Sequence, residues 1–317
     1  MSALHVYAIP MRTRFRDVDV REGALIEGTA GWGEFSPFRE YGDTEAAAWW
    51  RAASEAADQG WPPPARDRVP VNATVPAVRP EDVAGVLARF PGCTTAKVKV
   101  AAVGQTSGED EERLRAVRDA LGPAGKIRID ANGAWDSDRA TTLLPRYDRA
   151  AGGLEYAEQP CRAVEELATV RRAVDVPIAA DESIRRADDP QRVAELEAAD
   201  VAVLKVQPLG GVRACLRVAE QIGLPVVVSS ALETSVGIAA GVALAAALPR
   251  LPYACGLATV SLLERDVVDD PLVAVDGALP VRRPVPSERK LAAVRADKPT
   301  TAWWNDRITR IARRPSR

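Results

Sequence analysis

From Val69 onward the chain repeats one pattern of apolar and polar positions. A short apolar or β-branched run is followed by a longer stretch whose apolar residues recur every three or four positions. The short runs lie near 71–75, 96–100, 126–130, 154–158, 177–181, 200–205, 225–229 and 253–257. The longer stretches include Glu109 to Leu121, Val164 to Val174 and Val212 to Ile222, where the spacing predicts helices with one buried face. Pro, Gly and Asp punctuate most of the joins. Eight strand-then-helix units at intervals of about 25 residues predict a (β/α)8-type barrel of class α/β over residues 71–284. An open doubly wound sheet is the competing arrangement, but no G-x-G-x-x-G follows the first strand. Gly210-Gly211 reads as turn chemistry at a helix start rather than a phosphate cradle.

Residues 1–70 follow a different rhythm. Leu4 to Pro10 and Ala24 to Thr29 alternate like antiparallel strands, and the polar run Phe15 to Gly23 between them suits an exposed loop. An Ala-rich helical stretch with Trp49 and Trp50 comes next, then the stiff Trp61-Pro62-Pro63-Pro64. The tryptophans read as packing residues. Residues 285–317 form a polar tail with Trp303-Trp304 and a basic end (Arg307, Arg310, Arg313, Arg314, Arg317). That tail reads as a solvated helix packing on the N-terminal region, the two together forming an α+β cap.

Composition narrows the chemistry. The 42 Lys and Arg residues nearly balance the 44 Asp and Glu, which argues against nucleic-acid binding through bulk charge. No apolar run of about 18 residues could span a bilayer, and the N-terminus lacks a signal-peptide pattern. The expectation is a soluble, cytoplasmic protein. Cys93, Cys161, Cys215 and Cys255 are far apart, as for free thiols in a reducing compartment. The single histidine, His5, makes Ser-His-Asp, Cys-His and His-rich zinc systems improbable. Proton transfer falls to Lys, Asp, Glu or Tyr. On oligomeric state the sequence is silent.

Five of the strand runs end in ionisable residues: Lys99, Asp130, Glu158, Asp181 and Lys205. Period-two geometry puts Lys97 on the same face as Lys99, so something negative must face the pair. A carboxylate at one strand end has an ordinary explanation as a helix cap. Five ionisable groups at one end of five consecutive strands do not, because that end of a barrel carries the chemistry. Three oxygen ligands without His or Cys suit Mg²⁺. Lysines flanking that metal suit removal of a proton α to a carboxylate, with the enediolate charge neutralised.

Lys97-Val98-Lys99, Asp130-Ala131-Asn132, Glu158-Gln159-Pro160, Asp181-Glu182-Ser183 and Lys205-Val206 resemble the barrel motifs of the enolase superfamily. The K-x-K pair with a lysine after strand six is similar to its muconate-lactonising-enzyme subgroup. The resemblance covers nearly the whole chain. It implies that Asp130, Glu158 and Asp181 hold Mg²⁺, that Lys99 and Lys205 form the acid/base pair on opposite faces of the substrate, and that Lys97 supports Lys99. Asn132, Ser229 and Ser230 are expected beside the substrate, a small-molecule dicarboxylate. Dipeptide epimerases of the subgroup usually carry Asp-x-Asp at strand eight, where this chain has Cys255-Gly256-Leu257-Ala258-Thr259. With that difference, the Ser229-Ser230 turn, the short chain and the segment Asp266 to Pro280, the sequence resembles the dehydrating members of the subgroup, and the resemblance implies syn elimination of water from 2-succinyl-6-hydroxy-2,4-cyclohexadiene-1-carboxylate. Arg16 or Arg21 is expected to reach the succinyl tail. The rival readings are an N-succinylamino-acid racemase with the same five residues, and a barrel that binds a carboxylated ligand without turnover.

Overall fold

The computed structural model describes residues 4–15, 18–185 and 190–313. The cap opens with β1 (Leu4–Phe15), β2 (Val18–Gly28) and β3 (Gly31–Phe35), an antiparallel sheet in that order. The run Phe15 to Gly23, expected as an exposed loop, differs. Val18 to Gly23 continues β2, with Ile9 opposite Arg21 and Tyr7 opposite Gly23. Pairing with β1 satisfies the backbone while Asp19 and Val20 stay in solvent, so a polar run needs no loop. Arg16 lies outside the described residues.

Helix α1 (Asp43–Ser54) packs against β3. The approach is close enough that a Cβ at Gly33 would meet the Ala53 carbonyl oxygen at 2.0 Å. The cap core is aromatic: Trp49 and Trp304 are fully buried, and Phe35 meets the Trp50 and Trp304 rings edge-on at 5.6 and 5.8 Å.

Seven parallel strands stand side by side in chain order: β4 (Ala73–Val75), β5 (Thr95–Lys99), β6 (Lys126–Asp130), β7 (Leu154–Glu158), β8 (Ile178–Ala180), β9 (Val201–Leu204) and β10 (Val226–Val228). Helices α2 (Ser107–Leu121), α3 (Ser137–Ala151) and α4 (Val164–Ala173) follow β5, β6 and β7; α5 (Val212–Ile222) and α6 (Ser235–Ala247) follow β9 and β10. The local sequence fixes their starts. Thr106 and Glu109 form a capping box on α2, and Asp136 caps α3 through the Arg139 amide at 2.8 Å. The eighth position is not a regular strand. Cys255 bridges Val71, Gly256 bridges Ser229, and their amides bond Pro70 and Val228 carbonyls at 2.7 and 2.8 Å. Pro252 supplies no N–H and a 3₁₀ turn starts at Ala258, which confines the ladder to one residue on each side. The ring still closes there.

Alternation stacks the barrel interior in layers. Tyr156, Ala179, Val201, Val203 and Val227 cluster low in the barrel, with Arg128 over the Tyr156 ring at 4.7 Å. One pleat higher come the strand-end charges. The last helix, α7 (Lys298–Ala312), returns to the cap beside α1, where Arg307 is buried and donates to the Phe38 and Tyr41 carbonyls. Arg314 and Arg317 lie outside the described residues.

Candidate active site

The strand-end charges meet in one buried network. Lys97, on β5, donates to both oxygens of Glu158 at 2.8 and 2.7 Å and stands 3.4 Å from Asp130. Lys99, two residues on, donates to Asp130 and to Asn132 Oδ1, the latter at 2.7 Å. Across the ring Lys205 donates to Asp181 Oδ2 at 2.6 Å. Asp130, Glu158 and Asp181 are buried, as are Lys97 and Lys205. The structure thus brings together Lys97, Lys99, Asp130, Glu158, Asp181 and Lys205, the barrel charges singled out from sequence. Ser229 and Ser230 face the same chamber, and Ser230 Oγ lies 2.7 Å from Thr259 Oγ1.

Burial and neighbours divide the titration of these groups. Burial pushes the Asp130 carboxyl up, but Lys99 and Lys97 more than reverse this and hold it well below the usual carboxylate range. Burial likewise opposes Asp181, and Arg185 with Lys205 brings it down to about 2. Glu158 goes the other way: burial, then the charge of Asp130, push it up to about 7. Burial disfavours the Lys97 charge, yet Glu158 and Asp130 outweigh it and raise the pKa. Lys99 is lowered, first by burial and further by the like charge of Lys97, despite Asp130. Burial and the like charge thus ease loss of the Lys99 proton, the direction a base requires.

A cavity of ≈930 Å³ opens over Lys99 and Asn132, flanked by Phe15, Ala101 and Gly133. Phe15, Lys99 and Asn132 also line an inner chamber of ≈40 Å³ that reaches Asp130, Lys205 and Ser229. Sequence reasoning missed several residues here. Arg185 donates to Asp181 Oδ1 at 2.9 Å and to Glu182 Oε1 at 2.5 Å; its signal was the helical i, i+4 spacing from Asp181. Gln159 Oε1 accepts the amides of Asp181 and Ser183 at 2.9 and 3.2 Å, fixing the third carboxylate. Phe15 lies under the Lys99 ammonium, 5.3 Å from ring centre to Nζ. Arg21, expected at the succinyl tail, is instead buried against the turn after β10, bonding the Leu232 carbonyl at 2.8 Å.

The donor chemistry fits a hard divalent ion: three buried carboxylates from three adjacent strands and no soft ligand. As the side chains stand, their oxygens are held by Lys97, Lys99, Lys205 and Arg185. Among the described residues no three His, Cys, Asp or Glu side chains are gathered around a common point. Any ion held by these carboxylates would replace ammonium contacts on their oxygens.

Residues 82–286 match the family model described as enolase C-terminal domain-like, and residues 6–57 match its N-terminal counterpart. An o-succinylbenzoate synthase of Thermobifida fusca is 66% identical over 302 residues, covering 95% of this chain and 93% of that one. One from Mycolicibacterium smegmatis is 56% identical over 97% of this chain and 94% of its own. Among solved structures, a muconate lactonizing enzyme of Pseudomonas fluorescens superposes with a TM-score of 0.79 at 22% identity, over 93% of this chain and 98% of that one. That likeness shows the fold. The chain belongs to the enolase superfamily and, within it, to the family of lyases that includes these o-succinylbenzoate synthases.

Proposed function

We propose that this chain catalyses the Mg²⁺-dependent syn dehydration of 2-succinyl-6-hydroxy-2,4-cyclohexadiene-1-carboxylate to 2-succinylbenzoate, as a cytoplasmic step of menaquinone biosynthesis. The observation that carries the reading is the 66% identity to an o-succinylbenzoate synthase, joined to the pair Lys99 and Lys205, from the second and sixth of eight barrel positions, facing one chamber from opposite sides. Asp130, Glu158 and Asp181 would hold Mg²⁺, which supplies positive charge against the substrate carboxylate and its developing enediolate.

Lys99 Nζ, as the neutral amine, takes the proton from the ring carbon that bears the carboxylate. Its lowered pKa favours that form. The electron pair released from the C–H bond re-forms a ring double bond as the neighbouring C–O bond breaks. Lys99 returns the proton to the departing hydroxide on the same face, so one water leaves and the ring becomes aromatic. Lys205, paired with Asp181, stays a fixed cation over the opposite face. Ser229 and Ser230 offer hydroxyls to the substrate's anionic groups, and Asn132 holds the Lys99 ammonium through Oδ1.

The same opposed lysines would serve an N-succinylamino-acid racemase, with Lys205 as second base. A barrel that only binds a carboxylated ligand would show neither reaction. The test follows diene absorbance. Chelator should silence the wild type and Mg²⁺ restore it. Asp130→Asn, Glu158→Gln and Asp181→Asn should each abolish turnover and weaken Mg²⁺ binding in calorimetry while the chain stays folded. Undiminished turnover after exhaustive chelation would sink the metal assignment.

A further inference from the structure

The turn after β10 walls the inner chamber with Ser229, Ser230, Ala231 and Leu232. It is fastened from the cap. Arg21, 2% exposed, donates through Nε to the Leu232 carbonyl at 2.8 Å and through Nη2 to the Ala231 carbonyl at 3.3 Å. The same Nη2 bonds the Ser36 carbonyl, and the guanidinium lies 4.6 Å from the centre of the Phe38 ring. Leu232 has φ +67°, a left-handed conformation that a leucine keeps only where its surroundings impose it.

Glu34, on β3 and 2% exposed, takes hold of the next residues. Its Oε2 accepts the Thr234 amide at 3.1 Å, the Thr234 hydroxyl at 2.5 Å and the Gly237 amide at 3.0 Å. Its Oε1 accepts Tyr7 Oη at 2.6 Å and Ser36 Oγ at 2.9 Å. The carboxylate therefore sits at the N-terminus of α6, where exposed amides and the helix dipole favour a negative charge. One cap residue grips the carbonyls of the turn and the other its amides.

We propose that Arg21 and Glu34 are positioning residues for substrate binding. From the cap they fix the 230–234 turn, and through it the wall against which the substrate's non-reacting groups lie. The inference rests on the dehydratase reading for the identity of the substrate. Lys99, Asp130, Glu158 and Asp181 hang on other strands, so loosening the turn raises KM and leaves the chemical step in place.

The experiment measures dehydration kinetics and calorimetric Mg²⁺ affinity for Glu34→Ala, Arg21→Met, the double variant and Glu34→Gln. Each alanine or methionine variant should raise KM by about tenfold or more, as for loss of charge-assisted buried hydrogen bonds. The kcat and Mg²⁺ affinity should hold within about threefold. Glu34→Gln should stay close to wild type, because its carbonyl oxygen can face α6 while its amide faces the Tyr7 and Ser36 hydroxyls. The double variant's KM should rise less than the product of the single effects, since both residues act through one turn. A fall in kcat at constant KM, a parallel loss of Mg²⁺ affinity, or fully multiplicative effects would overturn the proposal. If Glu34→Ala or Arg21→Met does not fold, Thr234→Val and Arg21→Lys carry the same comparison. Should the wild type leave the diene acid untouched, the dehydratase reading falls alone. Calorimetric binding of 2-succinylbenzoate to the same variants then decides the positioning role.

Discussion

Lys97→Met is the perturbation whose size the structure defines best. The lysine is 7% exposed and is the hydrogen-bond partner of both Glu158 oxygens. Methionine keeps most of its volume and removes its charge, leaving Glu158 buried beside Asp130. Breaking a buried pair from one side costs about 3–5 kcal/mol. The variant can limit that loss by protonating Glu158, whose carboxyl stands at about 7 even with Lys97 present. Measured from that folded value, protonation costs almost nothing at pH 7 but about 2.7 kcal/mol at pH 9, which sets the ceiling there. With an unfolding entropy of about 0.7 kcal/mol per kelvin for 317 residues, a loss of about 3 kcal/mol lowers Tm by about 4 °C. The assay is urea and thermal unfolding at pH 9, where Glu158 is ionised in the wild type, in chelator so that no metal replaces the missing cation. Lys97→Met/Glu158→Gln should recover most of the stability, because the orphaned charge is gone. A single-variant loss below about 1 kcal/mol, or a double variant no more stable than the single, would refute the ion-pair reasoning.

The lysines should separate by role. Lys99→Ala should remove turnover by several orders of magnitude, whereas Lys205→Arg should keep more activity than Lys99→Arg; equal losses in the dehydration assay would point to two transferring bases. Glu233, 1% exposed, has its pKa pushed up to about 7 by burial and by Glu34. Its folded form holds a proton more tightly than the unfolded chain does, so it favours folding below pH about 4.5 and loses that contribution as pH rises through about 7. Glu233→Gln should therefore be more stable than wild type by about 1–3 kcal/mol at pH 8, the gap largely closing at pH 5. A pH-independent difference in urea unfolding would contradict this.

Much of the architecture was legible because short-range patterns carry it. The apolar strand runs alternate with 3.6-period stretches, and each of five runs ends in a charge, so Lys99, Asp130, Glu158, Asp181 and Lys205 could be placed at one mouth. The eighth strand was located but not its form, since two single bridges leave the same apolar trace as a ladder. Phe15 to Gly23 looked like a loop because its polarity is real; the pairing of Val18 to Gly23 with β1 depends on partners that composition does not reveal. Arg21, Glu34 and Glu233 were illegible for a stronger reason. Glu34 meets Thr234 across 200 positions, and no local period encodes such a contact. Arg185 could have been found, because one helical turn separates it from Asp181.

The central claim is the choice of substrate. Strand position eight offers Gly256, Leu257, Ala258 and Thr259 and no carboxylate for a substrate ammonium, and an unpaired buried charge is costly. The direct measurement presents the enzyme with the cyclohexadiene acid, N-succinylamino acids and dipeptides in D₂O with Mg²⁺, following absorbance and deuterium uptake. Rapid dehydration of the diene acid is expected, with at most slow exchange of N-succinylamino acids and none of dipeptides. A dipeptide epimerised faster than the diene acid is dehydrated would contradict the account.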